Sequence, residues 1–306
     1  MKTLYFDCFS GISGDMVIGA LLDAGGDPQK LVKELKKLRF EDEYELAWQK
    51  VVKNGITSTK FDVILKDEGN NHSDEYEHHH EHDHEHLHDN HEHTHDHHHD
   101  HEHEHIHTQG HSHSHGHNHH SHEHEHHNHD DGHHHHHSHR AYKDIVKMIK
   151  ESELAPEVKE ISLKIFKKIG EAEGLIHGLP LEKVHFHEVG AVDSIIDIVG
   201  AAILLHQLDI TTVKSSSVPV GTGKIHIDHG IYPVPAPATL EILKGVPIEQ
   251  SDIRFELTTP TGAGIISVLT DEFCSFPSMK VAAIGYGAGT KTFKDRPNVL
   301  RVIIGE

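Results

Sequence analysis

A single stretch, residues 67–139, most constrains what this chain can fold into. It contains 35 of the 41 histidines and 18 of the 49 acidic residues, but none of the 28 lysines and arginines. It has no apolar residues at helical or strand spacing, so it cannot bury enough apolar surface to fold. We therefore expect a disordered surface insertion between an N-terminal part (residues 1–66) and a C-terminal part (residues 140–306) of one folded domain.

The composition outside the insertion excludes several classes of protein. The formal net charge of −21 falls to −3 without residues 67–139, since 31 acidic residues then face 28 basic ones. No basic patch is left, which argues against nucleic-acid binding. There is no apolar run of about 18 residues, so no membrane span is expected. The two cysteines, Cys8 and Cys274, form no CxxC pair, and we expect a cytoplasmic protein.

The order of predicted elements indicates a mixed α/β (α+β) globular protein. "TLYFDCF" predicts a buried strand, and Asn54-Gly55 predicts the turn of a hairpin. Helices are predicted from Pro28, capped by Asp27, and from Pro156. "VDSIIDIVGAAILLHQL" predicts a more apolar, central helix. The last third alternates strand-like runs, such as "RFELTTPTGAGI", with glycine-rich turns.

The histidines of the insertion predict metal binding of a particular kind. Neutral imidazole binds Zn, Cu, Fe and Ni. Many interchangeable ligands on a flexible backbone suit the collection or buffering of metal, because catalysis needs a few ligands in fixed geometry. The alternative is a repeat expansion without a function. The candidate ligands in the densest runs are His97, His98, His99, His133, His134, His135, His136 and His137.

The motif "HFHEVGAVDSIID" places five potential ligands where the apolar helix begins. An extended backbone puts His185 and His187 on the same side, and Glu188 falls at the turn into the helix. Asp193 and Asp197 are four residues apart, so their carboxylates lie on one helix face and repel each other unless a cation lies between them. A metal or catalytic site is one interpretation. The other is an ordinary helix entrance, with Asp193 at the helix N-terminus and Asp197 paired with a lysine or arginine.

Glycine-rich loops follow several strand-like runs and could offer backbone N–H groups to an anion. "FDCFSGISGDM" joins a strand end to a helix start, and "TTPTGAGII" offers a second helix N-terminus. Glycine turns are also common at strand ends for structural reasons alone, and no P-loop lysine is present. The candidate phosphate-binding residues are Ser10, Gly11, Ser13, Gly14, Thr261 and Gly262. Further candidate metal ligands are Asp7 and Asp15.

Six segments carry a family resemblance. "LYFDCFSGISGDM", "HFHEVGAVDSIIDIVGAA", "PVPAPATLEILKG", "TPTGAG", "GYGAGT" and "RPNVLRV" together resemble the LarC-type nickel insertion proteins. The resemblance implies insertion of Ni(II) into pyridinium-3,5-bisthiocarboxylic acid mononucleotide, which yields the nickel-pincer nucleotide cofactor of lactate racemase and related enzymes. It also agrees with the histidine-rich insertion. Family members continue past "RPNVLRV" into a C-terminal domain associated with CTP, so we expect CTP-dependent chemistry only together with that domain.

The implied chemistry suggests roles for the candidate residues. The product has a carbon and two sulfurs bound to nickel, so a C–H proton must leave and a nickel chelatase or cyclometallase of the lyase class is expected. Our inference, beyond the resemblance itself, assigns His187, Glu188 and Asp193 to catalysis, and the same residues with His185 and Asp197 to metal binding. Expected partners are the mononucleotide and either a nickel-pincer-dependent apo-enzyme or a C-terminal-domain polypeptide, with a homo-oligomer as a further expectation.

Two alternatives stay open at this point. One is a non-catalytic nickel store or metallochaperone, which needs neither an acidic-histidine cluster nor phosphate loops. The other is a metal-dependent phosphohydrolase built on Asp7 and Asp15, although no phosphate-binding lysine or arginine lies near them in sequence.

Overall fold

The computed structural model describes residues 2–66, 140–186, 189–227 and 230–306. The predicted mixed α/β class is confirmed; the predicted insertion lies outside the described residues. The strands are β1 Thr3–Asp7, β2 Tyr44–Lys53, β3 Ile56–Leu65, β4 Thr212–Ser215, β5 Val218–Pro219, β6 Lys224–Ile227, β7 Gly230–Pro233, β8 Ile248–Glu249, β9 Glu272–Phe273, β10 Val281–Ala288 and β11 Val299–Gly305. The helices are α1 Gly14–Asp23, α2 Pro28–Leu35, α3 Tyr142–Glu151, α4 Pro156–His177, α5 Val192–Gln207, α6 Pro237–Ile242 and α7 Pro260–Leu269.

A seven-stranded mixed sheet with the order β2-β3-β10-β11-β1-β4-β9 forms the centre of the fold. The first strand, β1, lies between the last strand, β11, with which it is antiparallel, and β4, with which it is parallel. The hairpin β2–β3 joins the sheet through the parallel pairing of β3 with β10. Residues on both sides of the insertion therefore share one sheet. Two further two-stranded sheets, β5–β8 and the hairpin β6–β7, complete the described strands.

Helix α1 packs directly on β10 because two glycines let the backbones approach. A Cβ on Gly285 would lie 2.1 Å from the carbonyl oxygen of Ala20, and a Cβ on Gly287 would lie 1.8 Å from that of Met16. The two glycines are two residues apart, so both face the helix. Helix α5 is buried along most of its length and packs on α1, α2, α4 and α7, which confirms the prediction of a central apolar helix. Among the described residues, no helix is both long and apolar enough to cross a bilayer.

Local signals place several elements where the sequence predicts them. Asp27 caps α2 by accepting hydrogen bonds from the backbone N–H groups of Gln29 (2.9 Å) and Lys30 (3.2 Å). Asn54 and Gly55 both have positive φ, 45° and 84°, as a tight hairpin turn requires. The run "RFELTTPTGAGI", by contrast, contains no strand among the described elements, and α7 begins within it.

The described residues on either side of the predicted insertion, Lys66 and Arg140, both contact Glu43. The backbone N–H of Lys66 donates to the carbonyl oxygen of Glu43 at 2.9 Å. The guanidinium of Arg140 forms an ion pair with the carboxylate of the same residue. Arg140 also donates its backbone N–H to the carbonyl oxygen of Gly190 at 3.2 Å. The chain that follows the insertion is thus bound to the segment that leads into α5.

Candidate active site

Three helices begin at one cavity of about 570 Å³. Its wall includes Gly14 of α1, Asp193 of α5 and Thr261 of α7, each within the first two residues of its helix. Strand β3 contributes Lys60, and the hairpin β6–β7 contributes His226. A helix N-terminus presents unpaired N–H groups and the positive end of the helix dipole. One first-turn N–H group of each helix is already bound, in α1 by Asp197, in α5 by Asp193 and in α7 by Thr259, so the positive ends of the helix dipoles are what the cavity offers to an anionic group.

The loop between β1 and α1 is packed too closely to serve as a binding loop over its whole length. Ser10 is fully buried and donates its hydroxyl to the carbonyl oxygen of Pro297 at 2.7 Å. Gly11 has a φ of +91°, and a Cβ there would lie 1.9 Å from the carbonyl oxygen of Leu257. These two predicted phosphate-binding residues are not part of the described cavity wall. They hold the loop in place instead.

The start of α7 packs against the same loop. A Cβ on Gly262 would lie 2.1 Å from the carbonyl oxygen of Ile12, so only glycine allows this approach. Gly262 is buried, whereas Ser13, Gly14 and Thr261 line the cavity. The structure therefore brings three of the six predicted anion-binding residues to the cavity, and the other three position the helices around it.

Three aspartates from α1 and α5 lie close together in the cavity wall. Asp197 accepts a hydrogen bond from the backbone N–H of Asp15, and a Cβ on Gly14 would lie 2.4 Å from its Oδ2 atom. Its Oδ1 atom is buried and has no hydrogen-bond partner among the described residues. Burial, together with the negative charges of Asp15 and Asp193, raises the pKa of Asp197 well above its usual value, while Lys60 opposes the shift. Asp193 and Asp197 thus face one cavity, as their spacing predicts.

The sequence patterns do not point to Lys60, which lies among these carboxylates. Its Nζ atom is 2.9 Å from Asp15 Oδ2 and 2.7 Å from Asp62 Oδ1. Burial alone would lower the pKa of Lys60, but the two carboxylates outweigh it and raise the pKa. The only sequence signal is a lysine inside the strand-like run "ITSTKFDVILK" of the predicted hairpin; the burial of its neighbours Ser58, Thr59 and Phe61 is seen only in the structure.

The described wall is acidic overall. Besides Asp15, Asp193 and Asp197 it contains Asp62 and Glu256, so five carboxyl groups face the single ammonium of Lys60. The predicted site residues also did not include His226, Glu256, Thr259 and Thr290. Thr259 and Thr290 lie within the quoted strings "TPTGAG" and "GYGAGT", whereas His226 and Glu256 lie outside all six strings and reach the cavity only through the fold. An acidic cavity surrounded by helix N-termini can bind a cation and an anionic ligand together.

Two further predicted site residues that the structure describes, Asp7 and His185, do not line this cavity. Asp7 accepts a hydrogen bond from Nε of Arg301 at 2.7 Å on the central sheet, and His185 is exposed outside the described wall. His187, Glu188 and the histidines predicted in the insertion lie outside the described residues. Within the described ranges, no group of three or more His, Cys, Asp or Glu side chains is placed to hold a metal ion.

Comparison with known proteins identifies the family. The sequence model of the family described as "Nickel insertion protein" matches residues 4–306. The chain belongs to the nickel insertion protein family. The family resemblance predicted from the six motifs is thereby confirmed, and it extends across the cavity residues of both parts of the chain.

Curated relatives in this family are longer than this chain. The pyridinium-3,5-bisthiocarboxylic acid mononucleotide nickel insertion protein of Geobacillus kaustophilus is 48% identical over 308 residues, which cover 100% of this chain and 60% of the relative. Relatives of the same name from Staphylococcus epidermidis and Clostridium kluyveri are each 42% identical, over 99% and 100% of this chain and 59% and 62% of their own lengths. This chain thus spans about 60% of the length of the curated relatives that it matches. No solved structure matches it.

Proposed function

We propose that this chain takes part in the insertion of Ni(II) into pyridinium-3,5-bisthiocarboxylic acid mononucleotide, the substrate in the names of its relatives. The observation that carries the proposal is the cavity in which an acidic wall and three helix N-termini meet. Nickel insertion requires a site that attracts a divalent cation and also holds an anionic ligand. The substrate carries a phosphate and two thiocarboxylates, which are suitable ligands for helix N-termini.

The substrate itself reduces the number of metal ligands that the protein must supply. In the product, nickel is bound by a carbon and two sulfurs, so the substrate provides three donors. The protein needs only to attract the ion and hold it until these donors bind. We propose Asp193 and Asp197 for this task, with Asp15 beside them. The residues that precede α5, His185, His187 and Glu188, are proposed as further ligands.

Formation of the nickel–carbon bond releases a proton from the substrate carbon, so the site needs a base. A carboxylate with a raised pKa accepts a proton more readily than an ordinary carboxylate. This favours Asp197, whose buried Oδ1 atom has no partner among the described residues. Ni(II) held near Asp197 would favour its ionised form, which is the form that can accept the proton of the substrate. Asp193, His187 and Glu188 are the alternative bases.

Other features of the function are also proposals. The histidine-rich insertion is proposed to collect and buffer nickel, because it offers many exchangeable imidazole ligands. We also propose chelatase or cyclometallase chemistry of the lyase class and a requirement for CTP. The product is proposed to be delivered to a nickel-pincer-dependent apo-enzyme. A cytoplasmic location and a homo-oligomeric state are proposed as well. The phosphohydrolase alternative lacks support in the geometry, since Asp7 pairs with Arg301 and does not line the cavity with Asp15.

The test is a metallation assay on the purified full chain. The protein is incubated with Ni(II) and the metal-free mononucleotide, without CTP, with CTP, and with CTP plus the C-terminal part of the Geobacillus kaustophilus relative. Mass spectrometry of the nucleotide measures the gain of nickel and the loss of the C–H hydrogen. We expect product in at least the third arm. Nickel bound by the protein without product in any arm would favour a nickel store or metallochaperone and overturn the proposal.

A further inference from the structure

A basic and aromatic loop stands at the rim of the cavity. Glu256 and Thr290 line the cavity, and Phe255 and Lys291 are their neighbours in the chain. The rim loop, residues 290–296, contains three cationic side chains: Lys291, Lys294 and Arg296. Arg296 lies 3.8 Å from Asp252 and 3.9 Å from Asp295. Lys291 and Lys294 have no carboxylate partner among the described residues, so the rim is basic where the interior is acidic.

The rim loop is held in place by the turn of the hairpin β2–β3. Lys53 donates from Nζ to the carbonyl oxygens of Thr290 (3.2 Å) and Lys291 (3.3 Å). Asn54 donates from Nδ2 to the carbonyl oxygen of Lys294 at 3.1 Å. A loop whose backbone is already bound loses less conformational entropy when its side chains bind a ligand. The rim loop is therefore positioned by the fold before any ligand binds.

Phe255 presents a ring face to a cation at this rim. The Nζ atom of Lys291 lies 5.7 Å from the centroid of the Phe255 ring. Phe293 packs against the same ring with its centroid 5.9 Å away and an interplanar angle of 64°. Phe255 is 36% exposed, so a ligand can reach it. A pyridinium ring is a planar delocalised cation and is more weakly hydrated than an ammonium, so it is the better cation for such a face.

We propose that the pyridinium ring of the mononucleotide stacks on Phe255 in place of the Lys291 ammonium, and that Lys291 and Lys294 bind its phosphate. In the substrate, the ring nitrogen that carries the ribose phosphate is opposite the carbon between the two thiocarboxylates. A ring at the rim with that carbon toward Asp197 therefore directs the phosphate outward, to the lysines. The thiocarboxylates then point inward, to the helix N-termini of α1, α5 and α7. This inference rests on the proposed function, because it specifies how its substrate binds.

Binding of metal-free ligands to the full chain tests the inference without nickel insertion. With chelator present, calorimetry measures the Kd of nicotinic acid mononucleotide, of its riboside, which lacks the phosphate, and of the 1,4-dihydro mononucleotide, whose ring is neutral. We expect Phe255→Leu to weaken the mononucleotide about three- to thirty-fold and to leave the dihydro compound within about twofold. Phe255→Tyr retains an aromatic ring and is expected to retain the affinity. Phe276→Leu, an exposed aromatic outside the described cavity wall, is the matched control.

The lysines are tested separately. Lys291→Gln combined with Lys294→Gln is expected to weaken the mononucleotide about tenfold and to leave the riboside unchanged, because only the former has a phosphate. Equal Kd values for Phe255→Leu and the parent chain would overturn the inference, as would equal binding of charged and neutral rings. Nucleotide binding without metallation would contradict only the proposed function. Metallation at an unchanged KM by Phe255→Leu would contradict only the present inference.

Discussion

The Asp7–Arg301 pair on the central sheet and the Asp15–Lys60 pair in the cavity differ in how charge is balanced. Asp7 and Arg301 are direct neighbours across β1 and β11, so one carboxylate meets one guanidinium. Lys60 is shared by two carboxylates, and Asp197 beside them has a buried oxygen without a partner among the described residues. On the sheet, strand register places each of these two charges directly beside its opposite, so the carboxylate is neutralised by its own cation. Helix N-termini that converge on a cavity leave carboxylates in excess, and this excess is available to a cation.

Asp197→Asn should have the largest effect on activity. It removes the proposed base and a proposed nickel contact while keeping the shape of the side chain, so product yield should fall by about 100-fold or more. The metallation assay measures this directly. Unchanged yield would contradict the assignment of Asp197 and would favour one of the alternative bases.

The same substitution should stabilise the metal-free protein in a pH-dependent way. The raised pKa means that the folded chain holds the Asp197 proton more tightly than the unfolded chain does. Stability of the parent therefore falls as pH rises from the unfolded pKa of about 3.9 toward the raised folded value, and stays lower above it. Asparagine does not titrate, so the variant should melt at a higher temperature than the parent at pH 7 but not at pH 4 or below. Thermal melts in chelator at both pH values test the sign.

Lys60→Met should have the largest effect on stability. It leaves Asp15 and Asp62 without their shared cation in a partly buried site, which should lower the free energy of unfolding by roughly 1–3 kcal/mol. Millimolar Mg²⁺ should restore part of the loss, because this ion prefers oxygen ligands and is not bound by imidazole in the insertion. Denaturant titrations with and without Mg²⁺ measure both effects. Lys30 is an exposed lysine outside the cavity. If Mg²⁺ raises the free energy of unfolding of Lys30→Met by the same amount, the effect is not specific to the cavity.

Asp193→Asn should have a smaller effect than Asp197→Asn. Asp193 is exposed and accepts a hydrogen bond from the backbone N–H of Ser194 at 2.7 Å. The loss of a favourable charge at the helix N-terminus and the relief of repulsion with Asp197 should nearly cancel, within about 0.5 kcal/mol. Metallation should fall about tenfold, since one of several cation contacts is lost.

Asp7→Asn provides the comparison for Asp193→Asn. It should cost roughly 0.5–1 kcal/mol of stability through the ion pair with Arg301 and leave metallation unchanged. If Asp193→Asn also lowers the stability and leaves the metallation yield normal, Asp193 has only a structural role, as Asp7 does.

The sequence by itself determined the elements whose signals are local. The cap at Asp27, the Asn54-Gly55 turn and the apolar stretch of α5 each depend on residues within one or two turns of backbone, so short patterns predict them. The six motifs likewise identified the family, because each is an ordered local string. Asp193 and Asp197 were predicted to share a face for the same reason, since helical spacing alone places them together.

Only the tertiary structure decided which predicted residues form the cavity. Asp7 and Asp15 come from one motif but have different partners. The register of β1 with β11 places Asp7 beside Arg301. The turn into α1 places Asp15 beside Lys60. Ser10 and Gly11 face Pro297 and Leu257, whereas Ser13 and Gly14 face the cavity. These outcomes depend on close backbone approach between segments far apart in sequence. A local pattern carries no information about such packing, because the partner that determines it lies elsewhere in the chain.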